Sequence, residues 1–128
     1  MLFRSIGDRL HILCGVDDLI VEAVAAGATG WIAGLVNAYP RESVVLFEMA
    51  RAGKWKELEP LYQWFLPLLR LDTVPKFVQL IKLVQERVGI GSATVRAPRL
   101  RLAGAELAAA EKIIKHAIKT RPDLSRFS

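Results

Sequence analysis

Residues 10–40, LHILCGVDDLIVEAVAAGATGWIAGLVNAYP, constrain this chain more than any other stretch. A short apolar run ends at Gly15, an amphipathic middle follows, and a second apolar run ends near Gly34. Parallel strands need a crossover of about a dozen residues, usually a helix, and residues 16–27 supply that length. The stretch therefore reads as one βαβ unit, with strands at residues 10–14 and 29–33. The first run is nearly continuously apolar, as expected of a parallel strand covered on both faces. No third convincing strand follows, so the chain is an α/β piece with long helices behind two parallel strands. Such a piece normally belongs to a larger sheet.

Within the unit, Gly15 ends the first strand and Asp17 or Asp18 is placed to cap the helix after it, because a carboxylate accepts from the free amides of a first turn. Leu19, Ile20, Ala23 and Val24 form the apolar stripe, and Gly27 is the stop. The two carboxylates have no partner at metal or acid–base spacing, and His11 stands alone, so no metal site is expected. Cys14 lies in the apolar run and reads as a buried, inert thiol. A single cysteine allows no disulfide framework and points to a reducing compartment, the cytoplasm. Ligands of α/β sheets are met at the carboxyl ends of strands. The turn at Gly15 and the loop at residues 34–40 are therefore the two places where chemistry is expected.

With 128 residues, 52% of them hydrophobic, the chain suffices for one compact domain and not for two. Residues 23–40 contain no charge, the length of a marginal membrane span. The run is nonetheless broken by Gly27, Thr29, Gly30, Gly34 and Asn37 and reads as a buried strand with its glycine-rich approach. Arg4, Asp8 and Arg9 interrupt any signal-peptide core. Leu2, Phe3, Arg4 and Ser5 spell what a translated sequencing adaptor would give, so residues 1–5 are expected to be foreign. The net charge of +5 resides wholly in residues 96–128, where eight basic side chains face three acidic ones. No aromatic residue is interleaved before Phe127, so this quarter reads as a solvated helix face rather than a nucleic-acid site.

Four helices are expected after the βαβ unit. Pro40 suits a first helical turn, and that helix runs to Ala52 with Gly53 as its stop. Trp55, Leu58, Leu61, Tyr62, Phe65, Leu66 and Leu69 make a broad apolar face in which Pro60 and Pro67 open a turn or kink the helix. Residues 71–75 break the chain, with Thr73 as a cap, and Phe77, Leu80, Ile81, Val84 and Val88 lead to Gly89. A long basic connection precedes a last helix over residues 105–120, faced by Leu107, Ala110, Ile113, Ile114, Ala117 and Ile118. Residues 123–128 are expected to fray. The natural division is residues 6–53 and residues 54–128. No phosphate loop, nucleophile elbow, HExxH or paired CxxC is present.

The order Gly15-x-Asp17-Asp18, Gly27-Ala28-x-Gly30-x-Ile32, then Asn37 and Pro40-Arg41, resembles the end of the barrel in the dihydrodipicolinate synthase and N-acetylneuraminate lyase family. Leu66-Pro67-Leu68 and Val95-Arg96-x-Pro98 continue the resemblance, which spans residues 10–119. It implies that the two strands are the seventh and eighth of a (β/α)8 TIM barrel, followed by a helical carboxyl-terminal region. The family uses a lysine that forms a Schiff base with a 2-oxo acid, needs no cofactor, and is homo-oligomeric at full length; its lysine precedes the segment matched here. Gly15 matches the glycine whose backbone approaches the imine-bound substrate. Ile32 matches the residue whose main-chain carbonyl faces the lysine. Ala33 and Gly34 stand where relatives carry a hydroxyl residue. Residues 62–69 and 71–76 look most like the branch that deaminates pyrroline-4-hydroxy-2-carboxylate.

None of the seven lysines closes an expected strand, so no catalytic residue is assigned and the chain alone is expected to be an inactive part of a lyase. Two other functions fit the composition: a freestanding helical interaction module, and a nucleic-acid binder using the basic quarter.

Overall fold

The structure, a computed structural model, describes residues 7–127, the side chain of Asp8 excepted. The five residues expected to be foreign, residue 6 of the first unit and Ser128 lie outside it. Strand β1, Leu13–Cys14, pairs in parallel with β2, Gly30–Trp31, in the register Leu13 to Gly30 and Cys14 to Trp31. Two flanking bonds extend the ladder, Thr29 N to the Ile12 carbonyl and Ile32 N to the Cys14 carbonyl, each 2.8 Å. The strands are shorter than expected because each finds a partner along one edge only. The expectation of a doubly covered strand is corrected too: Leu10, Leu13 and Ile32 are 64%, 51% and 66% exposed. Leu13 and Ile32, on one side of the pair by register, leave an apolar face open.

The crossover is a 3-10 turn at Asp17–Leu19 and helix α1, Ile20–Ala25, ended by Gly27 at φ 108°. Only glycine enters that region without strain. Of the expected stripe, Ile20 is fully buried, Ala23 and Val24 are half-buried, and Leu19 is exposed. After β2 the chain makes a 3-10 turn, Leu35–Asn37, and enters α2, Pro40–Arg51, with Pro40 in the first turn and Gly53 at φ 69° after its end.

Helix α3, Trp55–Leu69, runs through both prolines without a break. Pro60 and Pro67 lie on its exposed side together with Lys56 and Gln63, the residues four positions earlier whose carbonyls lose a partner. Water can solvate those carbonyls, which is why the interruption is tolerated. A 3-10 turn, Arg70–Thr73, follows. Thr73 does not cap the next helix: its hydroxyl donates back to the Arg70 carbonyl at 2.9 Å and closes its own turn. Helix α4, Phe77–Arg87, and helix α5, Gly104–Lys119, complete the bundle. The connection between them is held at Ala93, whose N–H donates to Glu86 Oε2 at 2.8 Å.

One apolar cluster joins the βαβ unit to the helices, with Ile20, Leu35 and Tyr39 meeting Leu46, Leu61, Phe65, Leu69, Val84 and Ile114. Tyr39 sits edge-on to Trp64 and Phe65, at centroid distances of 5.5 and 5.8 Å. The Trp64 indole donates to the Ala117 carbonyl at 3.1 Å and fastens α3 to α5. The tail is not frayed as far as Phe127. Residues Leu124–Phe127 form a 3-10 turn, and Leu124 and Phe127 pack on the core. Of the described helices, none is long and apolar enough to cross a membrane.

Candidate functional site at the carboxyl ends of the strands

Parallel pairing places the two sequence-derived positions side by side. Gly15 follows β1 directly and Ile32 follows β2 directly, and the Ile32 amide bonds the carbonyl of Cys14, the neighbour of Gly15. A β-carbon on Gly15 would meet no atom within 4 Å, so the space above it is open to an incoming group. The Ile32 side chain is 66% exposed and is therefore not a core side chain. Gly15 and Val16 border a hollow of about 470 Å3 whose other wall is Asp72, Thr73, Val74, Pro75 and Phe77.

Asp17 organises this edge. It is fully buried and accepts three bonds: from Trp31 Nε1 and Gly34 N at 3.1 Å on Oδ1, and from Leu35 N at 2.8 Å on Oδ2. The expectation that Asp17 caps the helix next to it is thus corrected. It instead caps the turn after β2, seventeen and eighteen residues away, so the loop following one strand fixes the loop following the other. Burial raises the Asp17 carboxyl above its ordinary value, and its three donors pull it back. Asp18 faces Arg70 Nε at 3.9 Å.

Asp72 was not anticipated. Burial, with the charges of Asp17 and Asp18 added, pushes its carboxyl up to about 6. It lies over Gly34, where a β-carbon would come within 2.4 Å of Asp72 Oδ1 and 2.8 Å of Ile81 Cδ1. The close approach of Asp72 to the start of the turn after β2 therefore depends on glycine at 34. Tyr62 reaches the same edge, its hydroxyl 2.7 Å from the Asp18 carbonyl and 2.9 Å from Glu22 Oε2. Burial and the Glu22 carboxylate raise that phenol above its ordinary range, so it stays a donor. Cys14 is half-buried rather than buried, and its thiol donates to the Val16 carbonyl at 3.2 Å. His11 is exposed ahead of β1.

The arrangement can present backbone groups and one acid near neutrality, but no amine. Lys54 and Lys76 immediately precede helices, and Lys56, Lys82, Lys112, Lys115 and Lys119 lie within them. Among the described residues no three His, Cys, Asp or Glu side chains cluster as a metal site would.

The sequence pattern of the dihydrodipicolinate synthetase family matches residues 1–117. A 4-hydroxy-tetrahydrodipicolinate synthase from Thermomicrobium roseum is 31% identical over 104 residues, 81% of this chain and 34% of that protein. The protein of the same name from Geotalea daltonii is 36% identical over 66 residues, 52% of this chain and 22% of its own length. One from Methanococcus maripaludis is 28% identical over 94 residues, 73% of this chain and 32% of that protein. The matched segment is about a third or less of each of these relatives.

Proposed function

The chain belongs to the dihydrodipicolinate synthetase family, and from that premise we propose that it forms the last two βα units and the helical carboxyl-terminal region of a (β/α)8 barrel lyase. The observation that carries this reading is the parallel pairing that sets Gly15 and Ile32 together at one carboxyl edge, beside an apolar strand face left open. Barrel enzymes hold their chemistry at that edge. In this reading a lysine outside these 128 residues condenses with the keto group of a 2-oxo acid, losing water to give an imine. The Gly15 backbone admits the bound substrate, and the Ile32 carbonyl faces the lysine nitrogen. Asp17 contributes by locking the two loops in register.

An amine nucleophile needs desolvation to lower its pKa, and the helical positions of this chain's lysines do not provide a strand-end pocket for one. The 128 residues alone are therefore inactive. The enzyme is a cytoplasmic homo-oligomer without a cofactor. Its substrate is a 2-oxo acid or, on the likeness of residues 62–69 and 71–76, a pyrroline carboxylate that it deaminates with release of ammonia. Treating the isolated chain with pyruvate and borohydride tests the placement of the amine. Intact mass should show no reduced pyruvate adduct; a stoichiometric adduct would place the amine on this chain and end the reading.

A further inference from the structure

A second cleft lies between α4 and α5, with a volume of about 480 Å3, and Val74 and Pro75 form a wall common to it and the strand-end hollow. That is within the range of small-molecule sites. Leu80, Leu102, Ala110 and Ile113 line it, and its two charged residues are Lys76 and Glu106, which pair with each other. Their places in the chain matter. Lys76 immediately precedes α4, and Glu106 is in the first turn of α5, so the amino ends of two helices converge at the ion pair. The first turn of α4 carries no acid. Both helix ends present partial positive charge, and with the lysine they outweigh the single carboxylate. Both side chains of the pair are about half exposed, 49% for Lys76 and 58% for Glu106. Glu106 can therefore swing into water and leave Lys76 to another anion.

We propose that this cleft binds a monocarboxylate with an apolar body, its chain against Leu80, Leu102 and Ile113 and its carboxylate replacing Glu106 on Lys76. A cationic ligand would meet two positive helix ends, and a neutral one would leave the lysine unused. The proposal uses no imine chemistry, and its test reads ligand binding rather than adduct formation, so the two readings fail separately although the two hollows share Val74 and Pro75.

The test is titration of the 128-residue chain, carrying Leu13→Lys and Ile32→Lys to keep it from self-associating, with octanoate, octanol and octylammonium, followed through backbone amide resonances. Octanoate should give saturable shifts centred on residues 76–80 and 106–113. Octanol should shift the same residues about fivefold more weakly, the scale of one partly exposed ion pair, and octylammonium more weakly still. Lys76→Gln should bring octanoate down to the affinity of octanol and leave octanol unchanged. Glu106→Gln should tighten octanoate alone. Ala109→Phe, at an exposed position on the cleft wall, should block octanoate and octanol alike. Equal affinity for octanoate and octanol, octanoate binding that survives Lys76→Gln, shifts centred on the open strand face at residues 10–32, or no saturable shift would each overturn the proposal.

Discussion

Asp17 spends a buried carboxylate on holding two loops together, and its replacement measures how much the strand ends depend on it. Asp17→Ala leaves Gly34 N, Leu35 N and the Trp31 indole without their acceptor and should cost about 3 kcal/mol in urea unfolding. Asp18→Ala, which loses only the long contact to the exposed Arg70, should cost under about 1 kcal/mol. Asp72 gives a pH signature. Its carboxyl titrates at about 6 in the folded chain against an ordinary 3.8, so the folded state binds the proton more tightly. Stability attributable to this group is full below the ordinary value and falls as the pH rises through about 6. Asp72→Asn should therefore leave stability near pH 4 almost unchanged and raise it by about 1 kcal/mol at pH 7, after allowance for solvent screening. A loss of stability at pH 7 would show that the charge is instead stabilised where it lies. Sequence spacing could mark Asp17 and Asp18 as carboxylates beside a strand end. It could not reveal that their donors lie around residue 34, because that pairing exists only once the strands are parallel.

At the scale of elements, the tail is tied to α2 by one buried charge. Glu42 is 1% exposed, and its Oε1 accepts from Arg121 Nε at 2.6 Å while Oε2 is buried with no hydrogen-bond partner among the described residues. The Arg121 guanidinium also lies 5.1 Å from the centre of the Tyr39 ring. Arg121→Ala strands the carboxylate and should destabilise the chain by about 3 kcal/mol. Adding Glu42→Gln should recover part of that loss, because a neutral amide is cheaper to bury; no recovery in the double variant would mean that the guanidinium acts through Tyr39 instead. The helices themselves were legible from the sequence. Pro40, Gly53, Gly89 and the apolar spacing mark their ends to within a residue or two, since caps and stripes are local. The strands were legible in place and direction but not in length, because their extent depends on neighbours. The tail turn was missed because the packing of Leu124 and Phe127 and the distant Arg121–Glu42 pair add to its local bonds from Ser125 and Arg126 to Asp123, and those distant partners cannot be read from spacing.

For the whole molecule, the decisive feature is a covered helical core beside an uncovered strand face. Leu13 and Ile32 there are more than half exposed, and open strand edges invite association. The isolated chain should self-associate in sedimentation at micromolar concentrations, and Leu13→Lys with Ile32→Lys should return it towards monomer without loss of helical content. A monodisperse native monomer would favour a freestanding helical module. The central claim is tested most directly by pyruvate and borohydride acting on the longer protein that this reading requires, with the modified residue located by peptide mapping. The account predicts one reduced adduct, on a lysine outside these 128 residues; an adduct on any of the seven lysines between Lys54 and Lys119 would contradict it.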